Sequence, residues 1–443
     1  MIILKTVAFC TLGCKVNQYE TATLAALFMD RGYRVVDFDE EADVYVVNTC
    51  TVTKTADQKS RQLIRRAVRQ NPDAVVVVTG CYAQVQSAAV SGIPGVDVVI
   101  GTKGRRGIVE MVEEAMRTGR QVVRVYDFGG ECEFEELPAF FGTRTRAFLK
   151  IQEGCRDFCT YCVVPYARGP LRSRKPEAVI DEARRLLAAG FKELVLTGVN
   201  IGYYGVEFDP PVKLDKIISL ILELPGLMRL RLSSIEPQDV TADLVSLLAR
   251  ERRFCPHLHI PVQSGDDEVL RLMGRRYDTG TYRKVVSLLR EGVPNIAITT
   301  DVMVGFPGET ESAFANTVSF VRDIGFAGLH VFKFSPRPGT PAAMLTGQLP
   351  EKEKERRLKV LLAVGAELKE AFANRFIGRV AEVLVERRNP DGSWEGLCGH
   401  YLRVVFKAKK MLVGSIVPVK VDAVKNDTLF GRPLLNQFGR IFV

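Results

Sequence analysis

Apolar positions in the first third of the chain form short continuous runs that alternate with stripes at helical spacing. The runs predict strands at Thr6–Cys10, Val44–Val47, Val75–Val78 and Val96–Ile100. The stripes predict helices, among them Tyr19–Arg31 and Thr55–Gln70. Strands that alternate with helices across short loops predict a doubly wound parallel sheet, which we assign to residues 1–128.

An acidic stretch at Gly129–Pro138 (GGECEFEELP) interrupts this alternation and predicts a linker, with bounds 129–140. Six further strand-like runs, separated by helix-like runs, predict a partial β/α barrel over residues 141–374. The predicted barrel strands are Phe148–Gln152, Glu193–Thr197, Arg229–Ser233, His257–Val262, Ala297–Val302 and Leu329–Phe334.

The last part of the chain has a different texture. Glu351–Arg375 is a charged amphipathic stretch that predicts a helix leading out of the barrel. After Gly378, short alternating strands and turn residues predict a small antiparallel β-barrel within residues 375–443. Small barrels of this kind often bind single-stranded or looped RNA.

The composition fits a globular protein of several domains, with 443 residues of which 47% are hydrophobic and 26% charged. No apolar run approaches the roughly 20 residues that span a bilayer. The first 14 residues lack the long apolar core of a secretion signal, so we expect a cytoplasmic protein without a membrane partner. In a reducing compartment, its ten cysteines are expected to be ligands or buried thiols rather than disulfides.

Positive charge is concentrated at the end of the chain. The net charge is +9, and residues 375–443 hold 12 Lys/Arg against 6 Asp/Glu. This excess suits either a solvated surface or a polyanionic partner, because nucleic acids are held largely through their phosphates.

Three cysteines stand together just after the first predicted barrel strand. Cys155, Cys159 and Cys162 have C-x3-C-x2-C spacing, and three thiolates can hold three irons of a [4Fe–4S] cubane. The fourth iron then lacks a protein ligand and is open to another molecule. A structural zinc site usually has a fourth Cys or His, but the nearest histidine in sequence is His257. The spacing therefore predicts a cluster with an open iron.

Three other cysteines are far apart in sequence but equivalent in position. Cys14, Cys50 and Cys81 each follow the carboxyl end of a predicted parallel strand, the edge at which such sheets bind ligands. Gly13 and Gly80 precede two of them and allow the backbone to approach a bulky group. Buried structural thiols are the alternative, but matching strand ends favour a second three-cysteine [4Fe–4S] cluster.

The first trio resembles the motif of radical S-adenosylmethionine enzymes, and the whole chain is similar to the methylthiotransferase family within that superfamily. The resemblance rests on segments spread along the chain. They are residues 11–18 (TLGCKVNQ), 47–50 (VNTC), 79–81 (TGC), 154–169 (GCRDFCTYCVVPYARG), 231–237 (RLSSIEP), 261–265 (PVQSG) and 305–310 (GFPGET).

The resemblance implies that S-adenosylmethionine binds the open iron at Cys155, Cys159 and Cys162, where its cleavage gives a 5′-deoxyadenosyl radical. It also implies that other residues contact this cosubstrate, although each of them is equally a strand-end cap or a surface residue. Tyr161 would pack beside the adenine, Gly198 and Asn200 would meet the methionine end, Ser233 and Glu236 the ribose, and Arg174 the methionine carboxylate.

The family further implies two [4Fe–4S] clusters and two S-adenosylmethionine molecules per product, one as methyl donor and one as radical source. It implies an electron donor such as flavodoxin or ferredoxin. The C-terminal segment resembles the TRAM domain, an RNA-binding barrel, which makes tRNA the expected partner.

The segment around the first cysteine resembles one branch of the family. Lys15-Val16 after Cys14 is similar to the enzymes that act on N6-threonylcarbamoyladenosine at tRNA position 37, next to the anticodon. The isopentenyladenosine branch usually has Gln-Met there, and the branch acting on a ribosomal-protein aspartate has Pro-Lys-Asn. Both remain alternatives, as does a non-catalytic iron–sulfur RNA-binding protein.

Overall fold

A computed structural model of the chain describes residues 5–129, 133–138, 145–409, 411 and 413–434. In these ranges the chain forms a parallel sheet, an open β/α barrel and a closed β-barrel, in that order. Within the same ranges, no helix is both long enough and apolar enough to cross a bilayer.

The first region is a six-stranded sheet in which every neighbouring pair is parallel. Its strands are Thr6–Thr11 (β1), Arg34–Val36 (β2), Val44–Thr49 (β3), Val75–Gly80 (β4), Val98–Ile100 (β5) and Val122–Arg124 (β6). Its helices are Lys15–Asp30 (α1), Lys54–Gln70 (α2), Cys81–Val85 (α3), Ser87–Ser91 (α4) and Ile108–Thr118 (α5). The spatial order is β2-β1-β3-β4-β5-β6.

Central strands β3 and β4 are buried along their whole length. Val44 and Val46 join one apolar cluster, whereas Tyr45 and Val47 join another on the opposite face. A strand covered on both faces needs apolar residues at successive positions, which explains the continuous run Val75–Val78 on β4. The polar side chains of this sheet are therefore displaced to the strand ends.

The second region contains strands Arg146–Lys150 (β7), Gln152–Glu153 (β8), Arg172–Ser173 (β9), Glu193–Thr197 (β10), Arg229–Leu232 (β11), His257–His259 (β12), Ala297–Val304 (β13) and Gly328–Lys333 (β14). Its helices are Val164–Arg168 (α6), Pro176–Ala188 (α7), Leu214–Leu222 (α8), Ala242–Arg250 (α9), Asp267–Leu272 (α10), Thr279–Gly292 (α11) and Glu311–Ile324 (α12). Parallel sheets β7-β10-β11 and β12-β13-β14 are joined by single bridges, such as Leu230 to Phe254, into an open six-stranded barrel.

The two faces of these barrel strands differ in chemistry. On β13, Ile298 and Val302 pack outward into the apolar core with the helices. Thr299 and Asp301 alternate with them and contact polar groups on the inner side. The inner face thus carries the functional side chains while the outer face supplies the packing energy.

Helix Glu351–Asn374 (α13) leads to the third region, a closed barrel of strands Val380–Arg388 (β15), Trp394–Cys398 (β16), Arg403–Phe406 (β17), Ile416–Lys425 (β18) and Thr428–Pro433 (β19). The order is β15-β16-β17-β19-β18. Four pairs are antiparallel, as predicted, but β17 and β19 pair in parallel.

The structure confirms the predicted fold class and corrects several elements. Strands β2, β6, β16 and β19 were not predicted; they are short or interrupted by polar residues and glycine, so their periodicity is weak. Helix α1 begins at Lys15 rather than at the predicted Tyr19. Its N-cap residue is Cys14, which makes no side-chain capping bond, so the usual capping residues that mark a helix start in sequence are missing here.

The described part of the acidic segment, residues 133–138, forms hydrogen bonds with both the first and the second region. Glu135 accepts a hydrogen bond from the Arg106 backbone at 3.0 Å, and Glu136 accepts one from Arg174 at 2.8 Å. The predicted linker residues 130–132, 139 and 140 lie outside the described residues. The domain bounds themselves stay a prediction.

Candidate cluster and substrate site

The first cysteine trio lies on one loop after β8. The Cys162 backbone donates to the Cys159 carbonyl at 2.8 Å, and Phe158 adopts a left-handed φ of 46° that turns the chain between the first two cysteines. The pKa of Cys155 and Cys162 is raised to about 12, mainly by burial and in smaller part by negative charge on the neighbouring thiols. Three crowded sulfurs of this kind suit a bound metal cluster, whose positive charge would hold them as thiolates.

Polar groups surround this loop from the ends of the barrel strands. Arg275 donates from Nη1 to the Cys159 sulfur at 3.3 Å and also pairs with Glu236. Asp157 accepts from Asn200 Nδ2 at 2.9 Å and from the Tyr203 hydroxyl at 2.6 Å. Hydrogen bonds to cluster sulfurs and nearby charges are known determinants of cluster potential.

Two of the predicted cosubstrate contacts have polar atoms without partners. Asn200 Oδ1 and Ser233 Oγ are buried, and neither has a hydrogen-bond partner within the described residues. Buried polar atoms are normally satisfied, so these two fit a site completed by a ligand. Gly198 lies so close to Gln152 that an added Cβ would come within 3.0 Å of the Gln152 Cβ.

Tyr161 and Glu236 have protein partners. The ring of Tyr161 packs edge-on against Phe306 at 6.4 Å between centroids, next to an apolar cluster at the ends of β13 and β14. Glu236 forms its ion pair with Arg275, and burial raises the pKa of this carboxyl despite the arginine. Both residues therefore border the first trio without being free side chains.

Arg174 is held in a different setting from the one we predicted. Its buried guanidinium pairs with Glu182 and with Glu136, and Glu182 in turn accepts from the Tyr19 hydroxyl at 3.2 Å. Both ends of the guanidinium are thus neutralised by protein carboxylates. This arrangement does not support a bidentate contact to a cosubstrate carboxylate and makes Arg174 a tie between α1, the acidic segment and α7.

The second trio converges at the carboxyl edge of the first sheet. An added Cβ at Gly13 would come within 3.0 Å of the Cys50 Cβ and 3.3 Å of its sulfur, and Gly13 has a φ of 108°. The pKa of Cys81 is raised to about 12, mainly by burial and in smaller part by the negative charges of Cys50 and Cys14. The three thiols therefore share one crevice, and the missing Cβ of Gly13 allows Cys50 to approach the loop of Cys14 closely.

Asn17 and Arg168 hold this crevice together, and neither was identified from sequence. The Asn17 amide donates to the Leu12 and Thr49 carbonyls at 2.7 and 3.1 Å, which fixes the loop of Cys14 against the strand end before Cys50. Arg168, on the helix that follows Cys162, donates to the Cys81 sulfur at 3.2 Å.

Arg168 also belongs to a buried charge network. It pairs with Glu20 on α1 and with Glu153 on β8, and Arg105 and Lys150 neutralise Glu20 as well. Burial favours protonation of Glu20, but these cations hold the pKa of the carboxyl well below its usual range. The network joins the first sheet to the barrel, so the two trios belong to one assembled surface.

A third polar cluster lies on the inner face of the barrel. His259 Nε2 and His330 Nδ1 approach Asp301 Oδ1 at 3.2 and 3.3 Å, and His259 Nδ1 meets the Thr299 hydroxyl at 3.0 Å. The ligand atoms of the two histidines and the aspartate all lie within 4.8 Å of one another. His257 Nε2 also lies within hydrogen-bond distance of the Thr299 hydroxyl, at 3.1 Å.

Three family models match the chain. They are the Uncharacterized protein family UPF0004 at residues 6–101, the Radical SAM superfamily at 149–321 and the TRAM domain at 374–434. A "Threonylcarbamoyladenosine tRNA methylthiotransferase MtaB" from Bacillus subtilis (strain 168) is 44% identical over 422 residues, which cover 94% of this chain and 93% of that protein. The chain belongs to the radical S-adenosylmethionine methylthiotransferase family. The predicted family is thus confirmed.

Other relatives of this methylthiotransferase are similar over comparable lengths. The protein of the same name from Thermotoga maritima is 38% identical over 96% of each chain. A "tRNA-2-methylthio-N(6)-dimethylallyladenosine synthase" from Bacillus subtilis (strain 168) is 36% identical and covers 95% of this chain and 84% of that protein.

Solved structures agree on the fold. The radical S-adenosylmethionine methyltransferase TsrM from Kitasatospora setae superposes with a TM-score of 0.58 at 19% identity, over 77% of each chain. At this identity the likeness concerns the fold alone. Membership of the family makes this methylthiotransferase an enzyme that uses a [4Fe–4S] cluster and S-adenosylmethionine, and it sets aside the non-catalytic alternative.

Proposed function

We propose that this methylthiotransferase converts N6-threonylcarbamoyladenosine at position 37 of tRNA into its 2-methylthio derivative. The observation that carries the proposal is the near full-length similarity to two proteins of that name, at 44% and 38% identity. The relatives named for dimethylallyladenosine are similar at 36% or less.

Cys155, Cys159 and Cys162 are proposed to hold the radical [4Fe–4S] cluster. When bound, such a cluster supplies the electron that splits S-adenosylmethionine into methionine and a 5′-deoxyadenosyl radical. The protein's part is to orient the cosubstrate: Asn200 Oδ1 and Ser233 Oγ offer buried polar atoms to it, and Gly198 allows Gln152 to pack closely at the same strand end. Tyr161 and Glu236 lie next to the same three cysteines.

Cys14, Cys50 and Cys81 are proposed to hold a second [4Fe–4S] cluster, which would present the sulfur to be transferred. Their crevice at the sheet edge, the close approach of Cys50 to Gly13 and the Arg168 contact to Cys81 support this assignment. The buried network around Glu20 keeps this edge fixed against the barrel and so sets the geometry between the two trios.

The C-terminal barrel is proposed to bind the tRNA. Residues 375–443 carry 12 Lys/Arg against 6 Asp/Glu, and Lys407 and Lys409 are exposed beside β17.

We further propose that the enzyme works in the cytoplasm. It would receive electrons from a small carrier such as flavodoxin or ferredoxin, because reductive cleavage needs a low-potential donor.

Mass spectrometry of tRNA nucleosides tests the substrate. Cells that lack this gene should lose 2-methylthio-N6-threonylcarbamoyladenosine and accumulate the precursor, and the wild-type gene should reverse both changes. A gene encoding Cys155→Ala, Cys159→Ala and Cys162→Ala is the matched control and should not restore the product. Loss of the 2-methylthio isopentenyl nucleoside instead would assign the enzyme to the other tRNA branch.

A further inference from the structure

Tyr401 lies where the three regions of the molecule meet. It occupies the turn between β16 and β17 with a left-handed φ of 66°. Its ring stacks on His257 at 4.8 Å, and Arg231 lies over it at 4.8 Å. Arg146 and Lys15 approach the same ring at 5.7 and 5.9 Å. We call these five residues the Tyr401 pocket.

The cations of the Tyr401 pocket are not equally compensated. Arg231 forms an ion pair with Glu193 at 2.8 Å, and Arg146 forms one with Glu386 at 2.9 Å. Lys15 has no carboxylate within ion-pair distance among the described residues, although it is partly buried. An ammonium in such a position lacks the partner that removal from water normally requires.

The excess of positive charge in the Tyr401 pocket affects the pKa of Tyr401. The pKa of Tyr401 is lowered by Lys15 and the two arginines, although burial alone would raise it. His257 Nδ1 is buried without a hydrogen-bond partner in the described structure. The pocket therefore has the excess positive charge and the unpartnered polar atom that a site for an anion would offer.

We propose that the Lys15 ammonium binds the carboxylate of the threonylcarbamoyl group on the target adenosine. This inference rests on the proposed function. The threonylcarbamoyl substituent carries a free carboxylate, whereas an isopentenyl substituent is neutral and apolar. A cation here would thus favour the first base and disfavour the second, which would leave the ammonium buried and unpaired.

The position of Lys15 in the chain supports a ligand on the base rather than on the RNA backbone. Lys15 follows Cys14, a proposed ligand of the sulfur-presenting cluster, so its side chain starts beside the place that the reacting base must reach. Arg231 and His257 extend the pocket onto the inner face of the barrel strands. A backbone phosphate is the competing anion, and the experiment separates the two.

Equilibrium binding of anticodon stem-loop RNAs to the full-length enzyme with its clusters tests the proposal. Three RNAs carry the threonylcarbamoyl base, its methyl ester or the isopentenyl base. For the wild type, we expect the free acid to bind about 10- to 100-fold more tightly than the ester, as for a hydrogen bond to a charged group. Lys15→Gln should bring this ratio close to one, and Lys15→Arg should keep most of it.

Lys59→Gln is the matched control, since it removes the same charge from an exposed position on α2 and should keep the wild-type ratio. The proposal is overturned if the wild type does not distinguish acid from ester, or if Lys15→Gln still does. It is equally overturned if Lys15→Gln weakens all three RNAs by the same factor, which would indicate a phosphate contact.

Two further readouts keep the outcomes distinct. Iron content shows whether Lys15→Gln retains its clusters; if iron is lost, the wild-type ester comparison and Lys15→Arg decide. Product formation by the wild type on the free-acid RNA tests the proposed function separately, because binding ratios do not depend on turnover.

Discussion

The two cysteine trios are built by opposite strategies. Cys155, Cys159 and Cys162 lie on one loop, so local chain geometry alone brings their sulfurs together. Cys14, Cys50 and Cys81 come from the ends of β1, β3 and β4, and only the parallel order of those strands unites them. The first trio therefore tolerates changes elsewhere in the fold better than the second, whose geometry depends on the whole sheet.

Both trios accept a hydrogen bond from an arginine, but the charged groups around them differ. Each receives an arginine N–H on one sulfur, from Arg275 at 3.3 Å and from Arg168 at 3.2 Å. Around the second trio, cations fully compensate Glu20. Near the first trio, the pKa of Asp239 is raised to about 7, mainly by burial and in smaller part by the negative charges of Glu236 and Asp157. Among the described residues, Asp239 has no ion pair, and a carboxyl of this kind suits the neighbourhood of a cationic cosubstrate such as S-adenosylmethionine, whose sulfonium is positive.

Removing either trio gives the largest expected effects. Alanine at Cys155, Cys159 and Cys162 should remove about half the iron, as for one of two four-iron clusters, and all S-adenosylmethionine cleavage. Alanine at Cys14, Cys50 and Cys81 should also halve the iron but leave 5′-deoxyadenosine formation, with no methylthio product. Iron analysis and chromatography of both products measure this, and full product from the second variant would make that trio merely structural.

Arg168→Ala tests whether the second trio depends on its charge network. The change leaves Glu20 and Glu153 less compensated in a buried site, so we expect a loss of about 3–5 kcal/mol in the free energy of unfolding. The bound cluster should also shift its reduction potential, because a hydrogen bond to sulfur is lost.

Denaturant melts and redox titration measure the Arg168 effects. Arg184→Ala is the control, since Arg184 pairs with Asp181 on the exposed face of α7 and its loss should cost at most about 0.5 kcal/mol. Arg168→Lys keeps the charge and should recover part of the stability. An unchanged potential in Arg168→Ala would contradict a role toward the cluster.

Charge reversal at Lys407 and Lys409 should weaken tRNA binding without affecting either trio. Each lost phosphate contact should reduce the slope of log affinity against log salt by about 0.7 to 0.9. Filter binding across a salt series measures it, with Lys213→Glu and Lys216→Glu on exposed positions near α8 as controls. Equal slopes in both double variants would remove these lysines from the RNA surface.

Deleting the C-terminal barrel is a poorer test than charge reversal. Arg231 donates to the Gly399 carbonyl at 2.9 Å, and Arg229 donates to the Leu397 carbonyl at 3.1 Å. A deletion would leave these buried guanidiniums without acceptors and disturb the barrel that carries the first trio. Effects of such a truncation on S-adenosylmethionine cleavage would thus have two causes.

Asp239→Asn should have the smallest effect and depends on pH. The folded pKa of Asp239 is about 7 and the ordinary value of an aspartate is 3.8, so between these values the folded state binds a proton that the unfolded state has lost. Stability from this group therefore falls as pH rises toward 7. The variant should gain about 1–2 kcal/mol over wild type at pH 8, a discounted figure because the side chain is partly exposed, and little at pH 4.

Thermal melts of both proteins at pH 5, 6, 7 and 8 measure this difference. A gain that does not grow with pH would show that Asp239 is not the titrating group. The variant also reports on the comparison of the trios, because an equivalent neutral change at Glu20, a compensated carboxylate, should destabilise at every pH above its low folded pKa.

The sequence by itself determined the local features of this enzyme. The spacing of Cys155, Cys159 and Cys162 and the alternation of strands and helices are properties of neighbouring residues, so they could be recognised in one dimension. Even the second trio was predictable, because the carboxyl ends of parallel strands lie at one edge by topology.

Only the tertiary structure decided which distant charges meet. Arg174 had the chemistry to bind a carboxylate, and the fold gave it Glu182 and Glu136 rather than a cosubstrate. The sequence did not reveal which groups Arg168 and Lys15 contact: Arg168 reaches Cys81, and Lys15 lies over Tyr401 with no counter-ion among the described residues. Charge pairing in a buried site depends on packing between regions, and local sequence carries no record of which partner the packing supplies.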